Sequence, residues 1–162
     1  MLDMQIRQSR GLSEIAHVRQ VRFLVLRKPL GLPYEETLFA GDENPNTVHV
    51  MAYHNSQPNS QPIGCLTLMP PEIISNEKQQ TTSVQLRGMA VLAELQGMGV
   101  GSKMLAYVAE LAQEHRWDLW CKARQSAVGF YAASGWRVVG DVFDIPRIGP
   151  HFRMELTCEA NL

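Results

Sequence analysis

The chain changes its hydrophobic period near its middle. From Thr47 to His54 the residues alternate, with Val48, Val50 and Ala52 on one side and Thr47, His49, Met51 and Tyr53 on the other. That period of two predicts a half-buried strand with a polar face. Met4 to Gln8 predicts a short first strand. Ser13 offers an N-cap and Glu14 a first-turn acid, and Ile15, Val18, Arg22 and Val25 follow at helical spacing, so a helix over 13–27 is predicted. Pro29, Gly31, Pro33, Gly41 and Pro45 break up the next stretch, which reads as loop with one helical turn near Glu35 to Phe39. Asn55 to Pro62 is a polar turn, Ile63 to Met69 a strand, Pro70 to Thr82 a polar connection and Ser83 to Val91 a further strand.

After Val91 the period lengthens. Gly97, Gly99 and Gly101 precede Val100, Met104, Val108, Leu111 and His115, which recur every three or four residues as on one face of a helix. Leu119 to Ala123 predicts a short apolar strand. Ser126 to Ser134 predicts a helix stopped by Gly135, and Trp136 to Phe143 and Phe152 to Leu156 predict closing strands. The order is β, α, three strands, α, β, α, β, β. It predicts a single α/β domain over 1–162: a mixed, mostly antiparallel sheet of six to seven strands with helices on both faces.

Composition narrows the function. The 162 residues carry 15 Lys and Arg against 16 Asp and Glu, a formal charge of -1. That balance argues against a nucleic-acid binder or a polybasic membrane anchor. No apolar run reaches the roughly 18 residues of a membrane span, and Met1-Leu2-Asp3-Met4-Gln5 lacks a signal pattern. Cys65, Cys121 and Cys158 are odd in number and sit in apolar stretches, as buried free thiols do. The expectation is a cytoplasmic protein. His17, His49, His54, His115 and His151 are too scattered to predict a metal site.

The glycine-rich turn carries the chemistry. Strand, glycines and helix start together present unobstructed backbone N–H groups and a partial positive charge, which suit a pyrophosphate without a lysine. A Walker loop is excluded because Gly101-Ser102-Lys103 has the wrong order. A dinucleotide fingerprint would need a third glycine where Ser102 stands, so a nucleotide-binding regulatory domain fails on the same letters.

Gln96-x-x-Gly99-x-Gly101, following Met89-Ala90-Val91, resembles the signature of the GNAT superfamily of acyl-CoA-dependent N-acetyltransferases. Ala127-x-x-Phe130-Tyr131-x-x-x-Gly135-Trp136 is similar to the second half of that signature, and Gly149-Pro150-His151-x-Arg153-Met154 to a segment of one bacterial branch. The resemblance implies acetyl-CoA as co-substrate, a primary amine of a small molecule or peptide as acceptor, and direct attack in a ternary complex. It implies that the backbone of Gln96, Gly97, Met98, Gly99, Val100, Gly101 and Ser102 holds the pyrophosphate. Met89, Ala90 and Val91 would pair with the pantetheine arm, and Tyr131 would protonate the departing thiolate. A homodimer is left open.

Two positions depart from the pattern. Arg124 stands seven residues before Tyr131, where many members have asparagine, and is assigned with the cofactor residues because a guanidinium can meet a CoA phosphate. An acidic substrate or a neighbouring carboxylate would serve it equally. Ser83 to Val91 holds Gln85 and Arg87 but no carboxylate, so no general base is inherited. His49, on the polar strand face, and His151, before the last strand, are the candidate catalytic bases. The lack of a strand carboxylate keeps an alternative in view, a non-catalytic acyl-CoA-binding sensor or interaction module.

Overall fold

The computed structural model describes residues 2–57 and 61–158. Residues 58–60 of the expected Asn55–Pro62 turn lie outside the described residues. The chain opens with β1 (Met4–Arg10) and α1 (Ile15–Arg22), whose axis continues through a π-helical turn over Phe23–Arg27. There follow β2 (Val48–His54), β3 (Gly64–Leu68), β4 (Glu72–Ser75) and β5 (Gln80–Val91). The second half holds α2 (Val100–His115), β6 (Trp117–Arg124), α3 (Val128–Ala133), β7 (Arg137–Val138), β8 (Phe143–Ile145) and β9 (Gly149–Leu156).

All nine strands form one sheet, in the order β1-β2-β3-β5-β6-β9-β7, with β4 added on β5 and β8 on β9. Six to seven strands were expected. The difference lies in two places: Glu72–Ser75, read as a polar connection, pairs back on β5, and the single strand expected from Trp136 to Phe143 breaks into β7 and β8, both paired with β9. Every pairing is antiparallel except β5 with β6.

The helices lie on both faces. Val100, Met104, Leu105 and Val108 of α2 pack with Val48, Val50, Leu66 and Leu86 on one side. Val18 and Val21 of α1 pack with Met51, Tyr53 and Cys65 on the other. β2 therefore has no solvent face, and burying apolar surface on both sides of one strand is what the two-layer cover requires. Ser13 does not cap α1. The residue before the helix is Glu14, in the left-handed region at φ 61 with no side-chain cap, and its carboxylate instead pairs with Arg7 on β1 at 2.8 Å. Among the described residues, no helix is long and apolar enough to cross a membrane.

Candidate active site

The site begins where the sheet comes apart. β5 and β6 run parallel and pair only over Thr82–Gln85 with Trp117–Trp120. Beyond that register the two strands diverge. On its other edge β5 is kept in line by β3, through a register shift between Cys65 and Thr67. The splay leaves Leu86 to Val91 facing Cys121 to Arg124 across a groove of about 1090 Å³, which continues past the start of α2 and the side of α3. One edge of β5 is thus paired and the other open to an extended ligand.

At one end the groove meets the glycine-rich turn. Gln96, Gly97, Gly99, Val100, Gly101 and Ser102 line it. Gly99 is the residue before α2, at φ 87, a conformation that L side chains avoid, and no side chain caps the helix. Its first amides therefore lack intrahelical acceptors and face the groove with the positive end of the helix. Gly101 is required for another reason: a Cβ there would lie 2.8 Å from the Phe130 ring. That close approach brings α3 against the start of α2. Gln96 turns its side-chain amide back to the Val91 carbonyl at 3.0 Å. Met98 does not line the groove and is 49% exposed.

Tyr131 is buried on α3 and lines the groove at the splay, edge-on to both Phe130 and Trp136. Burial, then the neighbouring Cys121 thiol with which it shares a hydrogen bond, hold the phenol well above its ordinary value. Burial likewise pushes the Cys121 thiol up to about 12. Both groups are therefore protonated at neutral pH.

His151 lies on β9 opposite Arg124 and lines the groove. Its Nδ1 is 2.8 Å from the Gly149 carbonyl, which can only accept, so Nδ1 carries the proton and Nε2 of the neutral ring keeps its lone pair. Phe143 stacks on the ring.

His49 does not join this group, contrary to the expectation of a solvent-facing polar strand position. It is 0% exposed, on the side of β2 that α1 covers. Its Nε2–H donates to the Asp42 carbonyl at 3.1 Å, and Nδ1 accepts from the Thr67 hydroxyl at 2.9 Å. The same hydroxyl accepts from Arg22 at 2.7 Å, and Arg22 is ion-paired with Asp42 at 2.6 Å. His49 completes a closed internal network, with its charged form disfavoured first by burial.

Arg124 reaches away from the glycine turn. Its Nη2 donates to the Leu26 carbonyl at 3.3 Å, which sets it at the α1 end of the groove. Arg27, Phe39, Arg87, Ile145 and Ile148 also line that end, and among the described residues no Asp or Glu appears along the lining. Sequence reasoning assigned none of these a role. The one signal available was Arg87, a cation within an otherwise uncharged strand.

A splayed parallel pair, an uncapped helix start at one end of the opening and a buried tyrosine at its centre define an acyl-CoA transferase type of fold. Residues 45–138 match the acetyltransferase (GNAT) domain family, and the chain belongs to it. A curated relative, the uncharacterized N-acetyltransferase YitI of Bacillus subtilis, is 35% identical over 83 residues, 51% of this chain; the match spans only 56% of that relative's length. The fold is similar to an acyl-CoA N-acyltransferase from Pseudomonas aeruginosa, with TM-score 0.72 and 21% identity over 96% of this chain and 99% of that one. It is similar also to Arabidopsis thaliana Naa50 in complex with a bisubstrate analogue, with TM-score 0.68 and 15% identity over 96% and 99%.

Proposed function

We propose that this protein transfers an acetyl group from acetyl-CoA to a primary amine by direct attack, with Tyr131 as general acid. The observation that carries the reading is the groove itself: an open strand edge that leads from an uncapped helix start to a buried, protonated phenol.

The amides from Gln96 to Ser102 fit a pyrophosphate, because the groove is open at Gly97 and Gly99, where an added Cβ would meet nothing within 4 Å. Met89, Ala90 and Val91 offer the unpaired edge of β5 to the pantetheine amides. A backbone N–H at this edge polarises the thioester carbonyl. As the amine nitrogen bonds to that carbon and the C–S bond breaks, Tyr131 gives its proton to the sulfur. His151 Nε2 takes the proton the nitrogen loses, directly or through water. Both residues line one opening.

The test is release of CoA thiol from acetyl-CoA across an amine panel. Turnover that depends on amine, with kcat lowered in His151→Gln, is the expected result. A protein that binds acetyl-CoA and releases no thiol with any amine would be the non-catalytic module instead. The absence of a carboxylate along the lining is what favours that second reading.

A further inference from the structure

We infer that Arg27, Arg87 and Arg124 form an anion site for the acceptor, so that the amine acetylated here carries a carboxylate; this rests on the acetyl-transfer reading above.

Three chain segments bring these cations together. Arg27 ends the π-helical turn after α1, Arg87 lies on β5 just before its bend, and Arg124 ends β6. Arg27 and Arg124 each donate to the same Leu26 carbonyl, both at 3.3 Å. Arg27 and Arg87 both sit over the Phe39 ring, at 5.5 and 4.4 Å from its centre. All three are half-buried and line the groove.

Among the described residues no ion pair neutralises them; Asp42 attracts Arg87 but is itself paired with Arg22. Among the described residues the ion pairs of arginine are Arg7 with Glu14, Arg22 with Asp42, Arg147 with Glu36 and Arg153 with Glu155. Glu36 attracts Arg27, but its carboxylate is taken by Arg147 at 2.7 Å. The carbonyls and the aromatic ring orient the guanidiniums without cancelling charge. Burial and the neighbouring cations disfavour the charge on Arg27, and burial does so on Arg87 and Arg124. Arginine does not lose its proton to relieve this, so the cluster holds an unmet demand for an anion, which a forked acceptor satisfies best.

The phosphates of the co-substrate are not that anion. Arg87 precedes Val91 by four residues of strand, about 13 Å at the usual rise, and the glycine turn begins only beyond Val91. The anion therefore enters with the acceptor, from the α1 end. Phe39, Ile145 and Ile148 wall that end with apolar surface, where a monoanionic carboxylate costs less to desolvate than a dianionic phosphate. The same cations also favour the neutral form of an amine held beside them, which eases attack in a groove without a carboxylate base.

The experiment pairs acids with their amides. Glycine, β-alanine, 4-aminobutyrate and a set of α-amino acids are compared with their carboxamides as acceptors, and β-alanine with 2-aminoethylphosphonate. The wild type should favour the best acid over its amide by about tenfold or more in kcat/KM, the scale of one charge-assisted contact. Arg87→Gln should bring that ratio near one while acetyl-CoA affinity by calorimetry is kept, and Arg87→Lys should restore part of it. Without turnover, the N-acetylated acid should raise the melting temperature of the CoA complex in the wild type but not in Arg87→Gln, and its amide should raise neither. Amides matching or exceeding acids, the phosphonate exceeding β-alanine, or a preference that survives Arg87→Gln would overturn the inference and leave acetyl transfer intact. If CoA binds but no amine releases thiol, the functional reading fails, and the melting arm still decides the anion site.

Discussion

Arg147 holds both carboxylate oxygens of Glu36, at 2.7 and 3.1 Å, although 111 positions of sequence separate them. Arg147 sits in the turn between β8 and β9, in the left-handed region at φ 69, and the neighbouring Ile145 and Ile148 line the α1 end of the groove. Glu36 belongs to the proline-rich loop after α1. The pair ties these two segments together over the acceptor end.

Glu36→Gln should therefore raise the KM for the acceptor severalfold and leave the melting temperature nearly unchanged, because exposed pairs contribute little to stability. Arg147 holds the Glu36 carboxyl below its ordinary range through their hydrogen bond. A depressed carboxylate keeps its partner above the ordinary value and loses it as pH falls through the lower folded value. The wild type should then match Glu36→Gln only in acid, or at ionic strength near 1 M, where screening reaches about 3 Å. Identical acceptor KM in both proteins at neutral pH and low salt would show that the tie does not shape the site.

Gly99→Asp should abolish the rise in melting temperature that acetyl-CoA gives. That rise corresponds to about 2.7 kcal/mol at a hundredfold excess over Kd. A side chain there meets nothing within 4 Å but stands at φ 87, so the variant carries strain as well as repulsion. Gly140→Asp separates the two effects. Its φ is 84, the space around it is also open, and it does not line the groove. Both variants should lower the melting temperature of the free protein, and only Gly140→Asp should still respond to acetyl-CoA.

Tyr131→Phe should lower kcat on the order of 10²- to 10⁴-fold, the usual worth of a positioned acid. The ring contacts with Phe130 and Trp136 remain, and the lost partner is a thiol, a weak hydrogen-bonding group, so stability should fall by no more than about 1 kcal/mol. Because burial raises the phenol well above its ordinary value, wild-type activity should show no loss of the acid form below pH 10. An unchanged kcat in the variant would remove Tyr131 from the reaction.

His49 should report on stability rather than on turnover. Its folded pKa is lowered, first by burial, so it binds a proton more readily when unfolded. The stability it contributes is complete above the ordinary histidine value of about 6.5 and is lost as pH falls through the lower folded value. The urea midpoint should fall across that window, and His49→Gln should be weaker at neutral pH but show a shallower slope. Equal slopes in the two proteins would mean that His49 does not titrate with unfolding.

The sequence by itself determined the parts that depend on neighbours in the chain. The strand–glycine–helix turn around Gly99 was legible because backbone sterics and helix periodicity are local, and so was the helix carrying Phe130 and Tyr131 before Gly135. The alternation in β2 gave the correct strand, but not the correct environment for His49, because periodicity marks two faces without saying what covers each. Only tertiary structure buried the second face under α1 and closed Arg22, Asp42, Thr67 and His49 into one network. It also decided that β5 and β6 part after Gln85 and Trp120, since pairing between distant segments leaves no periodic trace. Arg27, Arg87 and Arg124 are 37 to 97 residues apart in pairs; single cations at such spacings read as unrelated surface charges. Their convergence on Leu26 and Phe39 arises from packing alone, where long-range burial brings like charges together at a site that a ligand can neutralise.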